Sequence, residues 1–266
     1  LTSTFLALFL FFSSYGAEAQ LRTVDVSTIS DHEPFTFGTD DTVFGEMIKP
    51  GQDSTTLKGY DWDIVREAYH AMGATIKLNV MPWKQALKML ENGNTDVLFP
   101  TTETQQRIEK GFRFSKSPIH TSNQTIYVRI DDPVAWDGDV NSLNAILSGK
   151  KVGALLGYSY GTWWDAYKLK LGDRLDENAS DGINFKKLER GRLDFVMAYE
   201  ISADYMLSNE GHSNRFKKIG NVSQTTEHIA TYGESGSVKA VDLFDEGYAK
   251  IKANGKLAAI KKKWGQ

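Results

Sequence analysis

The chain has 266 residues, 41% hydrophobic and 24% charged, with 31 Lys and Arg against 34 Asp and Glu and a formal charge of −3. That length and apolar content supply one large core or two of ordinary size, and they exclude disordered and collagen-like architectures. The balanced charge offers no global basic field for nucleic-acid phosphates. The absence of cysteine excludes disulfides, thiolate metal sites, iron–sulfur clusters and cysteine nucleophiles, and leaves the redox compartment open. Nothing in the sequence calls for a cofactor.

Phe5 to Phe12 is an almost unbroken apolar run, followed by Ser13-Ser14-Tyr15-Gly16 and the small-x-small triplet Ala17-Glu18-Ala19. This is the hydrophobic core and cleavage region expected of a secretory signal peptide over residues 1–19; the alternative is a buried N-terminal strand. The run is well short of the roughly 20 apolar residues of a membrane span. The sequence opens on Leu1 with no basic n-region, so the gene start is expected to lie elsewhere. A soluble protein exported to the periplasm is the expectation.

From Leu21 short apolar runs alternate with amphipathic helices, the signature of an α/β fold. Arg22 to Ile29 reads as a first strand, and residues 38–58, rich in Gly, Asp and Thr, as a long surface loop or hairpin. Asp61 to Met72 reads as a helix closed by Gly73, with Trp62, Val65, Ala68, Tyr69 and Met72 on one face. A strand over 75–80, a helix over 83–90 and a buried strand over 96–99 follow, implying right-handed parallel crossovers. After Pro118 the pattern restarts: strand 125–130, helix 140–148, strand 151–155, helix 161–171, helix 184–190 and strand 194–199. A long helix over 239–253, Gly255 and a final helix to Trp264 complete the chain. The two halves match in layout only, with short ordered strands near 119–125 and 222–232 as the crossings.

Several segments together resemble the periplasmic solute-binding proteins of ABC importers, specifically the polar amino-acid class. They are Glu33-Pro34-Phe35, Gly59-Tyr60-Asp61-Trp62-Asp63-Ile64, Met81-Pro82-Trp83, Leu90 to Asp96, Thr101 to Arg107 and Phe114-Ser115. In the second half they are Lys151-Val152-Gly153, Gly191 to Asp194, and Asn254 to Leu257 with Trp264. No single piece is specific; the ordered set, running from about 21 to 265, is. The resemblance implies two lobes, each a mainly parallel sheet flanked by helices and joined by two hinge strands, with ligand held in the cleft between the carboxyl ends of both sheets. The first lobe is expected over 20–121, the second over 122–227, and a C-terminal return to the first over 228–266. Such proteins, acting as monomers, deliver a small solute to a membrane permease, or report it to a sensor receptor, and do no chemistry.

Carried over residue by residue, the resemblance makes Arg107 the anchor for a ligand carboxylate, a task suited to the planar guanidinium fork. It places Thr102 and Thr104 as loop donors, with Trp83 and His32 as rings on either side of the ligand; histidine would make that wall pH-sensitive. Glu33 beside it either meets a ligand cation or faces water. Ser159 stands at a turn that holds the ligand's anionic end, or simply caps the following helix. One departure stands out. Members that bind α-amino acids carry an aspartate for the ammonium group where this chain has Tyr199; the adjacent Glu200 would face the other way on a strand, unless a bulge turned it inward.

Rival chemistries are weighed on the same residues. Gly157-Tyr158-Ser159-Tyr160-Gly161 fits the G-x-S-x-G pattern of a hydrolase nucleophile elbow, with Asp194 or Asp204 and His228 in the order an acid and base require. A dehydratase-like member of the same fold would use Glu200 or Glu33 as a general acid. The histidines at 32, 70, 120, 212 and 228 show no metal-ligand spacing.

Overall fold

The structure, a computed structural model, describes residues 23–40, 42–233 and 238–265; the expected signal peptide lies outside them. In chain order the first half carries β1 (Thr23–Thr28), β2 (Asp31–His32), β3 (Thr36–Gly38), β4 (Val43–Ile48), β5 (Leu57–Lys58), α1 (Tyr60–Ala71), β6 (Thr75–Val80), α2 (Trp83–Glu91), β7 (Val97–Thr102), α3 (Gln105–Glu109) and β8 (Phe112–Phe114). Then come β9 (His120–Arg129), α4 (Val140–Ile146), β10 (Val152–Leu155), α5 (Thr162–Tyr167), β11 (Leu175–Asn178), α6 (Asp181–Glu189), β12 (Phe195–Tyr199) and α7 (Glu200–Asn209). The chain ends on β13 (Phe216–Tyr232), α8 (Val238–Ala253) and α9 (Lys256–Trp264).

The main sheet runs β11-β10-β12-β9-β13-β7-β1-β6-β4. At one end β1 pairs parallel with β6 and β7; at the other, β10 pairs parallel with β11 and β12. Each trio places its first strand in the middle, so the chain crosses over that strand to reach the third. The loop after the central strand therefore opens a crevice at the carboxyl ends. The long antiparallel strands β9 and β13 join the trios: β9 pairs with β12, and β13 with β7 and β9. The alternation of β-strand faces is visible in β9, where Ile126 and Val128 enter one core and Tyr127 another.

Burial divides accordingly. One core gathers Val24, Val26, Trp62, Val65, Tyr69, Ile76, Leu78, Phe99, Phe244 and Ile251, with α1 and α8 against the sheet and α9 packed on those two helices; α2 covers the opposite face through Ala86 and Leu90. A second system centres on Leu143, Val152, Trp164, Phe195 and Met197, with Phe185, Leu188 and Leu207 on the reverse side. This is the mixed α/β, two-lobed arrangement expected. Among the described residues no helix is long and apolar enough to cross a membrane, and no group of three His, Asp or Glu is placed to hold a metal ion.

Two expectations change. The 38–58 segment, expected as a loop or hairpin, is closed at its base by the antiparallel pairing of β3 with β5, and it adds a strand not expected, β4, which pairs antiparallel with β6 at the outer edge of the sheet, away from the crossing strands. Its return is tied down by Glu46, which accepts from Thr55 N at 2.7 Å and from the Ser54 hydroxyl at 2.7 Å. Those hydrogen bonds outweigh partial burial and lower the Glu46 pKa. Glu200 does not extend the preceding strand but opens α7, so the alternation argument about its direction does not apply.

The packing of α1 on α8 depends on a missing side chain. A Cβ on Gly247 would lie 2.0 Å from the Ala68 carbonyl oxygen, closer than any helix pair tolerates without moving apart. In an unconstrained helix Gly→Ala gains about 1 kcal/mol. Here Gly247→Ala is expected to lose about 1–3 kcal/mol through overpacking, read as a lower midpoint in urea unfolding; a raised midpoint would contradict this contact.

Candidate functional site

Loops at the carboxyl ends of both strand trios meet around one cavity lined by His32, Trp83, Pro100, Thr102, Arg107, Tyr158, Ser159, Tyr199 and Glu227. The first five come from β1–α3 and the next three from β10–β12, while Glu227 belongs to the crossing strand β13. The walls are closed on each other, leaving about 10 Å³, room for about one water molecule. Across the gap the Trp83 indole N–H donates to the Gly157 carbonyl at 3.1 Å, and the Thr102 and Tyr199 hydroxyls lie 3.2 Å apart. A guest the size of an amino acid enters only when the walls part.

Arg107 is set by local structure. Thr104 caps α3 by accepting from Arg107 N at 3.2 Å, and the guanidinium donates to the Thr102 carbonyl at 2.7 Å while lying 5.4 Å from the Trp83 ring centroid. The arginine is half-buried, and among the described residues no carboxylate pairs with it. Its remaining N–H groups are therefore free for an acid.

His32 is 4% exposed. Its ring meets Tyr199 edge-on at 5.2 Å and Phe35 at 5.2 Å, and neither ring nitrogen has a hydrogen-bond partner. Burial, helped by the charge of His120, lowers its pKa to about 3, so near neutral pH it is an uncharged wall of the cavity in this closed form. Behind it His120 stacks on Phe35 at 3.8 Å and bonds Asp61 at 2.8 Å. Burial raises the pKa of Asp61; for His120 burial acts the other way, but the Asp61 carboxylate, helped by the more distant Glu227, outweighs it and the value rises.

The structure separates the other sequence candidates. Tyr199, at the end of β12, donates to the Ser159 carbonyl at 2.9 Å, and burial raises its pKa. The Ser159 hydroxyl is engaged at its own turn, donating to Asp165 at 2.7 Å and accepting from Gly161 N at 3.3 Å. Thr104 lines the grooves outside the cavity rather than the cavity itself. Glu200 is not at the cavity: it pairs with Lys218 at 2.7 Å and accepts from Asn123 at 2.9 Å, bonds that outweigh desolvation and lower its pKa. Glu33, whose pKa partial burial raises, lines a separate groove with Asp31 and Asp181.

Hydrolase geometry is not assembled. His228 bonds the Ser115 carbonyl at 2.9 Å, Asp194 accepts from Lys151 N, and Asp204 holds Tyr127 and Lys218, so the triad candidates do not converge on Ser159. Sequence reasoning missed Glu227. It is 2% exposed, and its Oε1 accepts from the Thr102 hydroxyl at 2.7 Å and the Thr225 hydroxyl at 3.0 Å. Only the pairing of β13 with Thr102 on one side and His120 on the other places it there.

The profile of the bacterial extracellular solute-binding proteins, family 3, matches residues 26–266, and the chain belongs to that family of solute-binding proteins. It is similar to the L-cystine-binding protein TcyJ of Bacillus subtilis (strain 168), 25% identical over 93% of this chain and 85% of the relative. It is also similar to a probable histidine-binding protein of Neisseria gonorrhoeae, 22% identical over 78% and 75%. Among solved structures, a histidine kinase sensor domain similar to periplasmic binding proteins superposes with a TM-score of 0.73 at 20% identity, covering 91% of this chain and 96% of that one. The arginine-, lysine-, histidine-binding protein ArtJ of Geobacillus stearothermophilus gives 0.72 at 19%, over 92% and 96%.

His32 generates a pH prediction. Between its folded pKa near 3 and the ordinary value of 6.5, the unfolded chain binds more protons than the folded one. The stability it contributes is therefore complete above about pH 6.5 and lost as pH falls toward 3. The melting temperature should drop less from pH 7 to about pH 4.5 in His32→Phe than in the unaltered chain; equal slopes would mean that this imidazole is not desolvated.

Proposed function

We propose that this chain is an exported, monomeric, periplasmic binding protein that captures an amino acid or close relative by closing two lobes around it. It hands the solute to an ABC permease and does not transform it. The observation that carries the reading is Arg107, an unpaired guanidinium held on Trp83 at the meeting of both strand trios. Under this reading the lobes span about 20–121 with 228–266, and 122–227. Supporting that division, the two cores draw on residues 24–119 with 229–260 and on 126–216. Arg107, held by the Thr102 carbonyl, receives the ligand carboxylate, while His32, Trp83 and Tyr199 enclose its body, with Ser159 shaping the far wall through its turn. Thr104 positions Arg107 by capping α3.

Relatives named for cystine and histidine and a neighbour named for arginine, lysine and histidine support an amino acid as the guest. A second readout has its own observation: the likeness to a kinase sensor domain fits a closed form read by a receptor instead of a permease.

A thermal-shift screen of the amino acids, including cystine, is expected to raise the melting temperature with at least one of them, because ligand bound only to the folded chain stabilises it by mass action. For that hit, Arg107→Ala should lose roughly 2–5 kcal/mol of affinity in calorimetry, the cost of leaving a desolvated carboxylate unpaired. Unchanged affinity would place the carboxylate elsewhere, and release of a chemically altered hit, seen by mass spectrometry, would contradict simple binding.

A further inference from the structure

Charge accounting around the cavity leaves two groups over, one of each sign. Asp61 and His120 neutralise each other at 2.8 Å; His32 is neutral; Glu200 is paired with Lys218. Arg107 and Glu227 remain, and among the described residues neither has an ion-pair partner. Both act on the Tyr199 hydroxyl, Glu227 raising its pKa and Arg107 lowering it, so they face the same cavity through that group. Each described hydrogen bond donated to the Glu227 carboxylate falls on Oε1, from the Thr102 and Thr225 hydroxyls, which leaves Oε2 for a guest. A carboxylate 2% exposed with only hydroxyl donors is costly unless a cation joins it. Beside it, both nitrogens of the buried His32 also lack partners.

The geometry points to Glu227 as the group that receives the ligand's ammonium, so that the cleft selects a zwitterion, its carboxylate on Arg107 and its amine on Glu227. This rests on the amino-acid reading above and deepens it. Thr102 and Thr225 hold the carboxylate in place by donating to Oε1; they are positioning residues. The crossing strand thereby carries the anionic half of the site to the hinge, where it is presented only when both lobes close on it.

The test compares matched pairs of probes by calorimetry: L-histidine against imidazolepropionate, L-arginine against 5-guanidinopentanoate, and L-cystine against 3,3′-dithiodipropionate. Each pair differs at the α-amine and keeps the carboxylate. At least one amino acid should bind the unaltered chain about 30-fold or more tightly than its partner, the factor expected for a buried charge left unpaired. Glu227→Gln, which keeps shape and an acceptor for Thr102 and Thr225, should erase that preference while leaving the desamino acid's affinity in place. The comparison on the unaltered chain stands even if the variant folds poorly. Equal affinities within every pair that binds would overturn the role of Glu227 and leave that of Arg107 standing. No binding by any of the six would overturn both.

Discussion

The interaction on which the structure turns is one that the described residues leave incomplete: a half-buried guanidinium and a buried carboxylate at the same cavity, without a bridge between them. Desolvating a charge costs several kcal/mol even after relaxation, and a chain optimised only for stability would pair these groups or replace them with apolar side chains. Around them the other titratable neighbours are silenced, His120 by Asp61 and His32 by burial. What remains is an electrostatic mould for a small dipolar guest in a setting of low dielectric, where such complementarity is strongest.

The sheet explains how distant residues reach that mould. Parallel trios joined by helices put their loops at the carboxyl ends, and the antiparallel pair β9 and β13 turns those ends toward each other. Register shifts in β13 between Lys218 and Gly220 and between Asn221 and Ser223 interrupt the ladder just before it reaches the cavity, as bulges do where a strand must bend. The contacts that hold the walls shut are two polar ones, Trp83 to Gly157 and Thr102 to Tyr199, and the ring contacts of His32 with Tyr199 and of Trp83 with Tyr158, rather than a continuous packed core. Such contacts cost little to break and re-form, which suits a cleft that must open to load and close to retain.

Much of this was legible in the sequence because it is local. Helical periodicity marks α1, whereas Arg107 as anchor and Thr104 as a loop donor come through the family resemblance; that Thr104 caps α3 and accepts from Arg107 N is seen only in the structure. What was not legible is what only tertiary pairing decides. Val43–Ile48 contains Gly45 and no clean alternation, and it becomes a strand because β6 offers an edge and Glu46 fastens its return. Glu227 sits in Ser-Gln-Thr-Thr-Glu-His, inside the segment read as a crossing strand; the strand was legible, but not that this acid is buried, which follows from β13 being flanked on both sides. Glu200 shows the converse: adjacent to Tyr199 in sequence, it opens a helix and turns to Lys218. Neighbourhood in the chain was a poor guide to which acid faces the cleft.

The most direct measurement is a crystal structure of the mature chain with an amino acid that stabilises it in a thermal-shift screen. The account predicts the ligand enclosed between the two cores, its carboxylate within hydrogen-bond distance of the Arg107 guanidinium and the ring of Trp83 against it. A ligand seated outside that cavity, or an Arg107 side chain turned to bulk water in the complex, would contradict it.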